Sequence, residues 1–187
     1  MLLNIYLISH PIIKLLSRSI ITSQINQEKY DYNSKYIGLF LMYEIMRKYI
    51  KIKPIYIKQI SYTKEIYMLN KNQEYYVITN LLNTYQTIGE LQILIPNIKI
   101  LHIDNNKQLF DINIIKKINT LNKNIHIIIF DNILQKSWII ELIEQLTNEN
   151  NIYITDIHIA CIACYNQLLE KLGQKYPSLN LYTTKII

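Results

Sequence analysis

Five apolar runs recur along the chain at the spacing of strand–helix units, and this alternation narrows the choice of fold more than any other feature. They read "EYYVITN" (74–80), "NIKILHI" (97–103), "IHIIIF" (125–130), "NIYITDIHIA" (151–160) and "SLNLYTT" (178–184). Amphipathic helical patterns separate several of them: "TYQTIGELQIL" (84–94), "SWIIELIEQLTNEN" (137–150) and "CYNQLLEKLGQ" (164–174). Strands without polar alternation are buried on both faces, and helical crossovers between them give a parallel sheet covered on both sides. The expected fold is therefore a doubly wound α/β domain spanning residues 1–187. Its core begins near residue 71.

The first 70 residues follow a different pattern. "LLNIYL" reads as a strand or extended arm that ends at His10-Pro11, an extended dipeptide. A long helix is predicted from about Gln27 to Tyr49, with Tyr36, Ile37, Phe40, Leu41, Tyr43, Ile45 and Met46 forming an apolar stripe. Pro54 excludes helix just before it and opens "PIYIKQI", which pairs with "YTKEIYML" as a hairpin or meander. The stretch 109–124 is part helix, part loop. Helix, hairpin and arm form a hood on the α/β core.

In such sheets ligands bind beyond the carboxyl ends of the strands. The turns to search follow Thr79, Ile103, Phe130 and Ala160. The turn after Phe130 offers Asp131, Gln135, Lys136 and Ser137: a carboxylate suited to magnesium or a ribose hydroxyl, and a serine suited to cap the next helix. A helix N-terminus attracts anions through free N–H groups and its dipole. Strong phosphate loops, however, need glycine for close backbone approach. The chain has only Gly38, Gly89 and Gly173, and this turn carries Trp138 instead. It is read as a structural turn with, at most, weak anion binding.

Other candidates are weaker. Cys161-Ile162-Ala163-Cys164 has redox or half-metal-site spacing, but no second cysteine pair accompanies it, and buried thiols acting as small hydrophobes are the simpler reading. His102, His126 and His158 lie in apolar strand contexts and are read as core or sheet-face residues. No catalytic residue and no metal site is assigned. The net charge of +6 comes almost wholly from scattered lysines, with Arg18 and Arg47 the only arginines. Nucleic-acid surfaces cluster their cations, so nucleic acid is disfavoured as a partner. No run of apolar residues is long enough for a membrane span. The apolar N-terminus lacks the marks of a signal or transit peptide. Ile, Asn, Lys and Tyr have A/T-rich codons, which fits an organelle genome.

With these landmarks in order, the chain resembles the uracil phosphoribosyltransferase family along nearly its whole length. The local matches are "HPIIK", "IGLFLMYE", "IIIFDNIL" and "YPSLNLYTTKI". The resemblance implies a type I phosphoribosyltransferase fold, usually dimeric, which joins uracil to phosphoribosyl diphosphate and gives UMP and pyrophosphate in pyrimidine salvage. Red-algal plastid genomes carry such homologues, so a plastid-encoded protein is expected. The departures lie in the loops. The family's phosphate loop reads Thr-Gly-Gly-Ser, where this chain has Gln135, Lys136, Ser137 and Trp138. Its Arg-Ala-Gly pyrophosphate loop falls on "TNLLNTY", and its Tyr-Arg pair falls on "HIDNN", both without arginine. The chain ends at Ile187, before the family's glycine-rich uracil-binding segment would begin.

These differences imply a homologue that has lost catalysis and acts as a binding or structural protein. The expected partner is a second copy or another subunit of a plastid complex. Asp131, Gln135, Lys136 and Ser137 are a vestigial phosphoribosyl diphosphate loop in this reading. No cofactor is expected, with magnesium entering only alongside that substrate. Trp138 and Tyr85 are expected to fill the former cleft or to meet another protein. Two alternatives stay open: an active transferase, and an RNA-binding regulator.

Overall fold

The computed structural model describes residues 3–21, 27–104, 124–135, 137–150 and 152–187. The elements run β1 (Asn4–Leu7), α1 (Pro11–Ile21), α2 (Gln27–Tyr49), β2 (Ile52–Lys58), β3 (Thr63–Leu69), β4 (Gln73–Thr79), α3 (Leu81–Ile88) and α4 (Leu91–Leu94). Then follow β5 (Ile98–His102), β6 (Asn124–Leu134), α5 (Trp138–Asn150), a single 3-10 turn (Ile154–Asp156), β7 (Ile157–Cys164), α6 (Asn166–Lys175) and β8 (Asn180–Ile186). Six strands form one sheet in the order β1-β8-β7-β6-β4-β5, and β2 and β3 form a separate hairpin. Every neighbouring pair in the large sheet is parallel. This is the doubly wound α/β architecture that the apolar runs predict.

The run "IHIIIF" shows why the strands need no polar residues. Successive side chains point to opposite faces. Ile127 and Ile129 join Trp138, Leu142, Leu146 and Leu172 on the face covered by α5 and α6. Ile128 and Phe130 join Leu41, Ile45, Ile88 and Leu91 on the face covered by α2, α3 and α4. Both faces are core, so the alternation of burial that marks an open sheet is missing. Gly38 sets the closest approach of the α2 layer. A β-carbon there would lie 1.8 Å from the Thr87 carbonyl oxygen, so any larger residue would push α2 away from α3.

Several expectations need correction. Pro11 opens α1, where its missing N–H costs nothing at the first helical position, and the Ile12 N–H donates to His10 Nδ1. The α2 stripe is split: Ile37, Leu41, Met42, Ile45 and Met46 are buried, while Tyr36, Phe40 and Tyr43 face outward. The segment 84–94 is two helices, starting three residues earlier than expected and broken at Gly89-Glu90. Strand β7 begins only after the 3-10 turn and runs through both cysteines. Strand β6 continues past Phe130 to Leu134 because β7 is long enough to pair with it there, Ile133 opposite Ala163 and Leu134 opposite Cys164. Of the stretch 109–124, residues 109–123 lie outside the described residues, as does Lys136. Among the described residues, no helix is long and apolar enough to cross a membrane.

Candidate functional site

The turn after β4 is closed by its own side chains. Asn80 caps α3, its Oδ1 accepting from the Leu82 N–H at 3.1 Å. The Leu81 N–H donates to His102 Nδ1 at 3.1 Å. The Asn83 and Thr84 N–H groups donate to the Asn80 carbonyl, both at 3.1 Å. The Thr84 bond is the first regular bond of the helix, and the three amides before it, Leu81, Leu82 and Asn83, are occupied from within the chain. These amides are the donors a helix would offer an anion. Below them, the hydroxyls of Thr79 and Thr84 share a buried hydrogen bond of 2.8 Å.

Asn132 ties this turn to β6. Its side-chain amide donates to the Asn83 carbonyl at 2.8 Å, and its Oδ1 accepts from the Thr87 hydroxyl at 2.9 Å. One asparagine thus spans the crevice between the carboxyl ends of β4 and β6, where a ligand would enter such a sheet.

Of the four residues singled out from sequence, Lys136 lies outside the described residues. Asp131 is half-buried inside β6, opposite Cys161. Three extended steps, about 10 Å, separate it from Leu134. Gln135 and Ser137 are exposed in the turn that follows. The Ser137 carbonyl accepts from the Ile140 N–H at 2.9 Å, opening α5. Trp138 belongs to the core under α5 rather than to a cleft, because the first turn of α5 faces the sheet. Tyr85, by contrast, is exposed on α3.

Cys161 and Cys164 are both buried and free. Burial pushes the Cys161 thiol well up and its hydrogen bond with Cys164 adds to that, while the same bond lowers Cys164. The C-x-x-C is a pair of core thiols. Among the described residues, no cluster of histidine, cysteine and carboxylate side chains has a metal-holding arrangement.

Asn80, His102 and Asn132 were not among the residues chosen from sequence. Asn80 carries a readable signal, since asparagine before an apolar helical run is a capping residue. His102 carries none. Its bond to Leu81 exists only because parallel pairing sets His102 beside Thr79.

Residues 7–186 match the family model described as uracil phosphoribosyltransferase. The chain belongs to the uracil phosphoribosyltransferase family. The red-algal relatives are a "uracil phosphoribosyltransferase homolog" of Porphyra purpurea and one of Pyropia yezoensis. The first is 27% identical over 150 residues, 80% of this chain and 71% of that protein. The second is 24% identical over 150 residues, with the same coverage of both chains. A solved structure from Aquifex aeolicus superposes with a TM-score of 0.73 at 18% identity, covering 97% of this chain and 86% of that one. That likeness is one of fold.

Proposed function

We propose that this member of the family keeps the phosphoribosyltransferase scaffold without the transferase chemistry and serves as a binding or structural protein. One observation carries the reading: the amides at the start of α3, in the turn set against the family's pyrophosphate loop, are taken by His102 Nδ1, Asn80 Oδ1 and the Asn80 carbonyl. An anion would have to displace these bonds one by one. Each oriented donor at a catalytic site is worth roughly 3 kcal/mol of transition-state stabilisation, so losing a set of them abolishes useful rates. The glycine-free turn at Gln135 to Trp138 points the same way.

The direct test is uracil-dependent release of pyrophosphate from phosphoribosyl diphosphate with magnesium. The proposal expects none above a protein-free control. Turnover would refute it and establish the second reading, an active enzyme. That second reading draws on Asp131, Gln135, Lys136 and Ser137, a carboxylate, a cation and polar side chains in the sequence that precedes α5.

The partner we propose is a second copy of the chain, either alone or within a plastid complex. The hairpin supports this. Ile55, Tyr56, Ile57, Ile60, Tyr62 and Tyr67 are all exposed on it. A lone two-stranded hairpin is marginal in water, and exposed apolar area of this kind marks an interface. Sedimentation should show a dimer; a monomer at every concentration would remove this part. We also place it in a plastid, encoded there; the two red-algal relatives and the abundance of Ile, Asn, Lys and Tyr support this, and finding the gene in the host's nuclear rather than its plastid genome would refute it.

A further inference from the structure

At the amino end of the sheet, opposite the turns above, two imidazoles, buried His158 and half-buried His126, lie under the last residue of α2. His158 has no exposed surface. Neither of its ring nitrogens, nor Nδ1 of His126, meets a hydrogen-bond partner among the described residues. Buried polar atoms are rarely left this way, and each exception calls for an explanation. Tyr49 lies over His158 with ring centroids 4.1 Å apart and tilts against His126 at 5.1 Å. Tyr75 stacks on the other side of His126 at 5.7 Å.

Tyr49 is also the fastening point of the hairpin. Its hydroxyl shares a 2.6 Å hydrogen bond with the Tyr182 hydroxyl. Its carbonyl accepts from Gln73 Nε2 and from the Tyr75 hydroxyl. Two residues on, the Lys51 N–H donates to Gln73 Oε1, and the Lys51 carbonyl accepts from the Asn70 N–H at the hairpin base. A shift of Tyr49 bears on the hairpin base through Gln73, the partner it shares with Lys51.

We propose that His126 and His158 form an acid-sensitive latch: while neutral they seat Tyr49 and hold the junction of α2 with the hairpin closed, and when charged they release it. The groups facing them set the direction. From α2 come Lys48 and Tyr49, from the junction Lys51, from β4 Gln73 and Tyr75, and from β8 Tyr182. Burial holds His158 down to about 3, helped by His126 and Lys48. Burial also lowers His126, and Lys51 adds to that while Asp156 opposes it. Asp156, on the 3-10 turn, is itself raised by burial, so it is a weakened counter-charge. Both imidazoles are neutral when the latch is shut. Opening exposes them to water, where histidine titrates near about 6.5. The closed state is thus fully favoured above that pH and loses ground as pH falls, by about tenfold per exposed histidine between pH 7.5 and 5.5.

Amide hydrogen exchange on the full chain tests this at two reporters, the Ile50 and Asn70 N–H groups, which bond to Met46 and Lys51 carbonyls. After correction for intrinsic rates, opening at both should rise at least about tenfold from pH 7.5 to 5.5. In the double variant His126→Phe/His158→Phe the rise should vanish. No rise in the wild type, or the same rise in the variant, overturns the proposal. If the variant fails to fold, an imidazole NMR titration of the wild type decides: His158 must stay neutral below pH 5 in the folded protein, and an ordinary midpoint near 6.5 overturns the latch.

Discussion

The two ends of the parallel sheet treat polar groups in opposite ways. At the carboxyl end, where sheets of this kind hold ligands, the α3 turn is saturated: Asn80, His102, Asn132 and Thr84 satisfy one another and the backbone. At the amino end, where no ligand is expected, both ring nitrogens of buried His158 and Nδ1 of half-buried His126 are unmet among the described residues. The α3 turn behaves as structure, its first amides and the Asn132 side chain paired within the chain. The unsatisfied end is where stability is linked to protons.

The largest test of this contrast lies in the core beneath the carboxyl end. If Trp138 is core rather than cleft filling, Trp138→Ala should cost about 4 kcal/mol in denaturant unfolding. A loss under about 1 kcal/mol would place the indole in a cleft that the fold does not need.

Next comes the pH response of the amino end. His158 is held down to about 3 in the fold. An unfolded histidine near 6.5 therefore takes up protons first as pH falls, and stability drops from about pH 6.5 downward. Between pH 7.5 and 4.5 the loss from this residue should be about 3 kcal/mol, absent in His158→Phe. Asp156 shifts in the opposite sense, its pKa raised by burial, and recovers part of that loss only at the acid end of the range. A flat profile in the wild type would erase the difference between the two ends.

Two smaller effects sharpen the saturated end. Asn132→Ala removes two hydrogen bonds, one to the exposed Asn83 carbonyl, which water can serve, and one to the part-buried Thr87 hydroxyl. About 1 kcal/mol is expected from chemical denaturation, the usual net worth of such bonds. Asn80→Ala should cost about 1 kcal/mol, the usual value of a helix cap. If both changes are silent, the bonds around α3 are incidental and its amides are available after all.

Much of this fold can be read from the chain. The βα alternation, the bounds of α2 and the hairpin all follow from periodicity and from Pro54, which are local signals. What escaped were features set by pairing between distant strands. Strand β6 runs on through Asp131 because β7 supplies partners, and nothing within "FDNIL" announces that. The C-x-x-C resembles a turn motif until the same pairing stretches it into a strand. At the candidate site, the missing glycines could be counted in advance. The closure of the α3 turn could not, since His102 and Asn132 reach it only through sheet register. The outward-facing Tyr36, Phe40 and Tyr43 misled for a related reason: an apolar stripe wider than the buried face looks the same in sequence as one that fits it.

In the reading proposed above, this family scaffold no longer holds an anionic substrate. Isothermal titration with phosphoribosyl diphosphate and magnesium, then with uracil or UMP added, tests it most directly. The account predicts millimolar or weaker binding and no response to uracil. Micromolar binding would contradict it, showing that Asp131 and the start of α5 still grip phosphate despite the lost glycines.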